Sequence, residues 1–279
     1  MSFTWNSDDR PATLRVTPTG WIRVGLRGGA IVTVLGLGVL VSALLRLPER
    51  QLHGTQRPWT APVTRHAMRT ILRCIGLPLH QQGSPMKAHG AVVSNHISWL
   101  DIVALHGCQQ VVFVSKSEVA GWPGIGFLAR FVGTVFIRRD PKEARAQRDR
   151  LVRAMDEGAK LMLFPEGTST DGMRVLPFKS ALFDMMFTSE MHKDLFVQPI
   201  SLVYAAPPSS SDPRVYGWWG DMDLGPHLIQ VLARRRQGAV QVTFHPPLAV
   251  RDFAERKALA RTCEHMIREG MPKSQRGTN

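Results

Sequence analysis

Short apolar runs that stop at glycine, proline or charge recur along this chain, separated by stretches with apolar positions three and four apart. The runs at 91–94, 111–115, 134–138, 160–164, 197–203 and 240–245 read as strands. The stretches at 100–105, 142–157, 181–189, 224–235 and 252–269 read as helices. Repeated alternation of strand and helix predicts an α/β fold with a central, mainly parallel sheet flanked by helices. Residues 207–213 form a Ser/Pro-rich surface loop, and the chain shows no internal repeat.

The pattern is different before residue 86. Residues 1–27 are polar and mixed in charge, and the first twenty or so are expected to be loosely ordered. Residues 28–45 then run without a charge, between Arg23 and Arg27 on one side and Arg46 and Arg50 on the other. That run is at the short end for a membrane span, and Gly28, Gly29, Gly36 and Gly38 lower its helix propensity. A cleaved signal peptide is the alternative, since Val41-Ser42-Ala43 resembles a small-residue cleavage site. Against it, the polar stretch upstream is long and carries Asp8 and Asp9. The expectation is an uncleaved anchor, as a full span or a re-entrant hairpin, whose orientation the arginines on both flanks leave unset. Residues 62–79 follow as a basic amphipathic helix, with Met68, Ile71, Leu72 and Ile75 on one face and Arg65, Arg69 and Arg73 on another. Such a helix suits the headgroup layer of a membrane; the alternative is a helix packed on the domain with a solvated basic face. The catalytic domain is expected over 86–270, with a polar tail at 271–279. Removing residues 1–50 is expected to weaken membrane partitioning and leave that domain folded.

Length and charge narrow the class. At 279 residues the chain can bury one sizeable core. Its net charge of +13 and pI near 10.6 call for an anionic partner: nucleic acid, an anionic membrane surface or an acidic carrier protein. No zinc-finger spacing, aromatic single-strand platform or helix-turn-helix signature accompanies the charge, so nucleic acid is set aside. Cys74, Cys108 and Cys263 are odd in number and widely spaced. They argue against a disulfide framework or a metal site and fit a reducing compartment. The stretch from Tyr216 to Asp223, with Trp218 and Trp219 side by side, suits either the bilayer interface or closure of the core, with Asp223 as the N-cap of the next helix.

The candidate chemistry begins where the run at 91–94 meets the polar pair Asn95-His96, with Asp101 further on. A neutral imidazole near pH 7 is suited to taking a proton from a hydroxyl, and a carboxylate beside it fixes its tautomer and raises its basicity. The spacing is wrong for one helix face, so a turn must separate the two residues, with Asp101 in the first turn of the helix that follows. A surface histidine followed by an N-capping aspartate is the plain alternative.

Three later segments select between them. Gly133, Phe136, Ile137 and Arg139 end one strand; Phe164-Pro165-Glu166-Gly167-Thr168 ends another; Val197 and Pro199 begin a third. With Asn95, His96 and Asp101 they resemble, in order and spacing, the four blocks of the glycerolipid acyltransferases, the family of 1-acylglycerol-3-phosphate acyltransferase, across about 91–202. The resemblance implies a mixed sheet covered by helices and an O-acyltransferase with His96 and Asp101 as the catalytic pair. It further implies acceptor-headgroup binding by Arg139, Glu166, Gly167, Thr168 and Lys179, and no metal or organic cofactor. The donor would be an acyl thioester of acyl carrier protein or coenzyme A. The acceptor would be a lysolipid, 1-acylglycerol-3-phosphate or, as in a related bacterial branch, lyso-ornithine lipid. It also implies an enzyme at the inner (cytoplasmic) membrane, its active site facing the cytoplasm. Two positions depart from the family pattern. Ser169 stands where an arginine usually follows the threonine, and Phe178-Lys179-Ser180-Ala181 replaces Phe-Lys-x-Gly. Arg139, Arg174 and Lys179 remain as cations near an anionic headgroup. A non-catalytic lipid-binding protein on the same fold is the remaining alternative, and an intact His96/Asp101 pair counts against it.

Overall fold

The computed structural model describes residues 4–7, 9–13, 15–54, 56–121, 125–137, 143–188 and 193–277. Its centre is an eight-stranded sheet built from β1 (Leu79–Gln82), β2 (Gly90–Ser94), β3 (Val112–Lys116), β4 (Val135–Ile137), β5 (Leu161–Leu163), β6 (Phe196–Ala205), β7 (Ala239–Phe244) and β8 (Leu248–Ala249). The strand order is β1-β7-β6-β2-β5-β3-β4, with β8 on β6. β7 and β8 run antiparallel to β6, and the pairs from β6 through β2, β5 and β3 to β4 are parallel, so the sheet is mixed.

β2 lies between β5 and β6 and is buried along its length. A central parallel strand is covered on both faces, which is why it reads as continuous apolar sequence rather than as alternation. Val92 packs into one cluster with Ile71, Leu72, Leu100 and Leu105; Ala91 and Val93 pack into the other with Leu151, Leu161 and Leu259. The helices supplying these clusters are α2 (Thr60–Ile75), α3 (Leu100–Cys108), α5 (Ala144–Asp156) and α8 (Arg256–Glu269). Among the described residues, the strands β1 and two-residue β8 and the helix α4 (Ile125–Phe131) were not foreseen. β1 is Leu-His-Gln-Gln at the sheet edge, exposed after its first residue, so it carries no apolar period to read. The stretch expected as one helix at 181–189 begins as a 3₁₀ turn (Ser180–Phe183) before α6 (Asp184–Thr188).

The N-terminal region differs most from expectation. One helix, α1 (Pro18–His53), replaces the short anchor at 28–45, opened by Thr17, whose side chain accepts from the Gly20 N–H at 3.2 Å. Among the described residues before it, Trp5, Ser7, Asp9 and Arg10 contact the domain. α1 is long and apolar enough to cross a membrane. It nevertheless packs along α2, and Val24, Ile31, Val34 and Leu35 reach the core. The turn between the two helices is held by Glu49, fully buried near the end of α1. Its Oε1 accepts from the backbone N–H of Trp59 and Thr60, and its Oε2 from the Thr60 hydroxyl and Arg46. A carboxylate from one helix thus satisfies the otherwise unpaired N–H groups that start the next. The apolar stripe of α2 expected in the headgroup layer is instead core: Ile71, Leu72 and Ile75 are buried, while Arg65, Arg69 and Arg73 face outward. Arg23 and Arg27, read as membrane-flanking charges, donate to the carbonyls of Leu232, Ala233 and Arg234, closing the C-terminal end of α7 (Leu224–Ala233).

Candidate active site

The site lies where β2 ends and the chain turns into α3. Asn95 continues β2 by pairing with β6 through its side chain, donating to the Leu202 carbonyl and accepting from the Leu202 N–H. The turn then presents His96, and Asp101 falls in the first turn of α3, as the spacing required. The His96 Nδ1 stands 2.7 Å from Asp101 Oδ2.

The protonation follows from the other partners of that carboxylate. Asp101 Oδ2 also accepts from the backbone N–H of Ile97 and Ser98, and Oδ1 accepts from the Tyr204 hydroxyl at 2.9 Å. An oxygen receiving two backbone N–H bonds is an acceptor, so Nδ1 of the neutral ring carries the proton and Nε2 keeps its lone pair. Asp101 is fully buried, whereas the His96 side chain is 20% exposed. The ring also stacks on Phe164, 4.0 Å between centroids and 15° from parallel, which fixes its plane. Burial together with the Asp101 charge holds the Tyr204 phenol well above its ordinary range, so it stays a donor. Nothing in the local sequence marks Tyr204 as a partner of Asp101, because it arrives from β6 across the sheet.

The third block grips the histidine by its backbone. The Thr170 N–H donates to the His96 carbonyl at 3.0 Å, and Glu166 Oε1 accepts from the His96 N–H at 2.8 Å. Glu166 Oε2 accepts from the Leu176 N–H, and the residue is 1% exposed. Both oxygens are therefore occupied inside the protein, in place of the headgroup contact expected of Glu166. Burial pushes its carboxyl up to about 8, against the pull of the two N–H groups. Gly167 follows with φ at +73°, and a Cβ there would stand 2.5 Å from the Lys179 ammonium, so the glycine lets that cation close on the loop. Thr168 and Ser169 are buried, and the Thr168 Oγ1 accepts from the Trp5 N–H at 3.3 Å. Arg139 lies outside the described residues; of the same block, Phe136 and Ile137 lie in β4 and Gly133 just before it.

Two other features resolve as packing. Trp219 is buried, and the Trp218 indole donates to the Met222 carbonyl, so this stretch closes the core. His227 accepts from the Trp99 indole at 3.0 Å, and burial pushes its pKa down to about 4, leaving it a neutral anchor for the start of α3. Among the described residues no group of three His, Cys, Asp or Glu side chains is placed to hold a metal ion.

This histidine at a strand end, held by a buried carboxylate beside a Pro-Glu-Gly-Thr loop, lies in a stretch of the chain that is similar to known proteins. The family model described as Acyltransferase matches residues 78–203. Over 267 residues the chain is 50% identical to a lyso-ornithine lipid O-acyltransferase of Rhodobacter capsulatus, with 96% of each chain covered. The chain belongs to the acyltransferase family. A second relative of that name, from Brucella abortus, is 38% identical over 207 residues, 71% of this chain and 74% of its own. The crystal structure of the 1-acyl-sn-glycerophosphate acyltransferase of Thermotoga maritima shares the fold, with a TM-score of 0.59 over 90% of this chain and 95% of that one, at 20% identity. The mixed sheet flanked by helices is thus the fold of this acyltransferase, and the enzyme class read from the blocks stands.

Proposed function

We propose that this acyltransferase moves a fatty acyl group from a thioester of acyl carrier protein or coenzyme A to the free hydroxyl of lyso-ornithine lipid, giving ornithine lipid, and that 1-acylglycerol-3-phosphate is its second acceptor. The observation carrying the chemistry is the His96–Asp101 contact of 2.7 Å, with Nε2 left as the acceptor of a proton. His96 takes the proton of the lysolipid hydroxyl as that oxygen attacks the thioester carbonyl. The thiolate leaves and is protonated, and Asp101 stabilises the imidazolium between these events. No acyl-enzyme is needed, because the thioester is already activated and a positioned base contributes roughly 10²–10⁴-fold. The choice of acceptor rests on the similarity along nearly the whole chain to proteins bearing the lyso-ornithine name.

The enzyme works at a membrane surface, the inner membrane with the site on the cytoplasmic side. Supporting this are the exposed apolar side chains of α1, among them Leu26, Val32, Leu37, Leu40, Leu44 and Leu47, beside the outward arginines of α2. The deciding experiment is acyl transfer by purified protein with both acceptors and both donors. Turnover with lyso-ornithine lipid supports the assignment; turnover with 1-acylglycerol-3-phosphate alone would replace it. His96→Ala should lower turnover at least about a hundredfold and leave the protein on the membrane. A variant with near-normal turnover would remove the general-base role.

A further inference from the structure

The N-terminal segment before α1 is polar and was expected to be loose, yet it is tied to the active-site loops at several points. The Trp5 N–H donates to Thr168 Oγ1 at 3.3 Å, within the third block. The Trp5 ring lies 5.7 Å from Trp219, whose indole N–H donates to the Ser7 carbonyl. Arg214 donates to the Asp9 carbonyl and carboxylate, and Arg10 pairs with Asp221. The loop receiving these contacts also reaches the catalytic turn, since the Trp218 N–H donates to the Ile97 carbonyl. The segment therefore packs on the loops that hold the backbone around His96.

Arg174 lies against this segment. Its Nε and NH2 fork onto Asp171 at 3.2 Å each, and its guanidinium carbon lies 5.1 Å from the centre of the Trp5 ring. Among the described residues NH1 makes no hydrogen bond, and the side chain is 44% exposed. The loop carrying it is pressed on the catalytic turn: Thr170 donates to the His96 carbonyl, and a Cβ at Gly172 would stand 3.1 Å from Ile97. In both proposed acceptors an anionic group lies a few bonds from the accepting hydroxyl. Arg174 is thus a described, partly exposed cation on a loop bonded to the His96 turn, in a chain whose third block has Ser169 instead of arginine. Asp171 already offsets much of its charge, which suits a single carboxylate better than a doubly charged phosphate.

We propose that Trp5 and Arg174 together form the headgroup-reading wall of the acceptor site, the indole holding the guanidinium that meets the anionic group of the lysolipid. This rests on the acyltransferase reading above and adds which residues select the acceptor. The test is steady-state kinetics of full-length enzyme in mixed micelles, with the acceptor varied and the donor saturating. Trp5→Ala should raise the acceptor KM about fivefold to tenfold, Arg174→Gln about tenfold or more, with kcat and the donor KM moving less than about twofold. Because the indole acts through the guanidinium, Trp5→Ala/Arg174→Gln should be no worse than Arg174→Gln alone. Trp5→Phe, which keeps an aromatic face, should stay within about twofold of wild type. Arg174→Gln should also narrow any preference for lyso-ornithine lipid over 1-acylglycerol-3-phosphate. Additive effects of the two substitutions, a fall in kcat at unchanged acceptor KM, or no change in either would overturn the proposal. Should Trp5→Ala precipitate, Trp5→Leu keeps apolar bulk against Trp219, loses the cation–π face and reads the same ratio. The ratios are taken with whichever acceptor the wild type turns over, so loss of the lyso-ornithine assignment is seen in the wild type and failure of the wall only in the variants.

Discussion

Asp101 receives the His96 ring, the Ile97 and Ser98 amides and the Tyr204 hydroxyl, so its carboxylate is fully engaged and cannot turn. Asp101→Asn would place an NH₂ or a single carbonyl among these donors and favour the wrong tautomer; turnover should fall by about 10²–10⁴. Tyr204→Phe removes one donor from a buried charge, a loss of about 1.5–3 kcal/mol, and should lower kcat roughly tenfold or more without moving the acceptor KM. An unchanged kcat would make Tyr204 a packing residue only. Glu166 offers a pH test. Its folded-state value, pushed by burial from 4.5 up to about 8, means that the folded protein holds this proton more tightly than the unfolded chain. Its contribution to stability is therefore greatest below about 4.5 and declines as pH rises towards 8. Thermal midpoints of Glu166→Gln should gain on the wild type across that window, and parallel curves would sink the idea. At this scale the His96–Asp101 pair was legible because a turn fixes both residues locally. Tyr204 and Trp5 were not, because contacts of |i−j|=103 and |i−j|=163 leave no mark in local spacing.

Elements were legible where one period dominates. The central strands were found within a residue or two because burial on both faces makes them continuous apolar runs. The basic helix at 62–79 was found as well, as Thr60–Ile75, but its apolar stripe was assigned to lipid and lies in the core. A helical period shows which side chains share a face and is silent about what covers that face. The flanking arginines carry the same lesson: Arg23 and Arg27 complete the end of α7, a partner far along the chain. Glu49 is the element-scale test. Glu49→Ala strips the start of α2 of its acceptor and removes the carboxylate that Arg46 pairs with, leaving Arg46 the Gln56 carbonyl. The loss should be roughly 3–5 kcal/mol, read as a drop in thermal midpoint in detergent. A midpoint within about a degree of wild type would show that solvent replaces the carboxylate.

For the whole molecule, α1 belongs to the catalytic domain and is not a detachable anchor. Removing residues 1–50 would take away Ile31, Val34 and Leu35, uncovering the core they pack on, and would also remove Glu49. That truncation should therefore destabilise the domain as well as weaken membrane partitioning. Membrane attachment has to be tested on the outer face of α1, where apolar side chains are mostly exposed. Leu37 is 57% exposed and Leu44 67%, so charge at either position leaves the core intact. Each leucine seated in lipid contributes about 1.5–3 kcal/mol, and Leu37→Glu/Leu44→Glu should shift the protein about a hundredfold or more towards the soluble fraction. Its thermal midpoint in detergent should stay close to wild type, separating lost attachment from lost folding. The net charge of +13 supplies a competing explanation, with Arg65, Arg69 and Arg73 drawn to anionic headgroups. Salt distinguishes the two, because exposed charges are screened within about 10 Å at 0.1 M and apolar contacts are not. Wild type should remain membrane-bound in a high-salt wash. Release of the wild type by salt, together with retention of the double variant at low salt, would transfer the anchoring role from α1 to the arginines of α2.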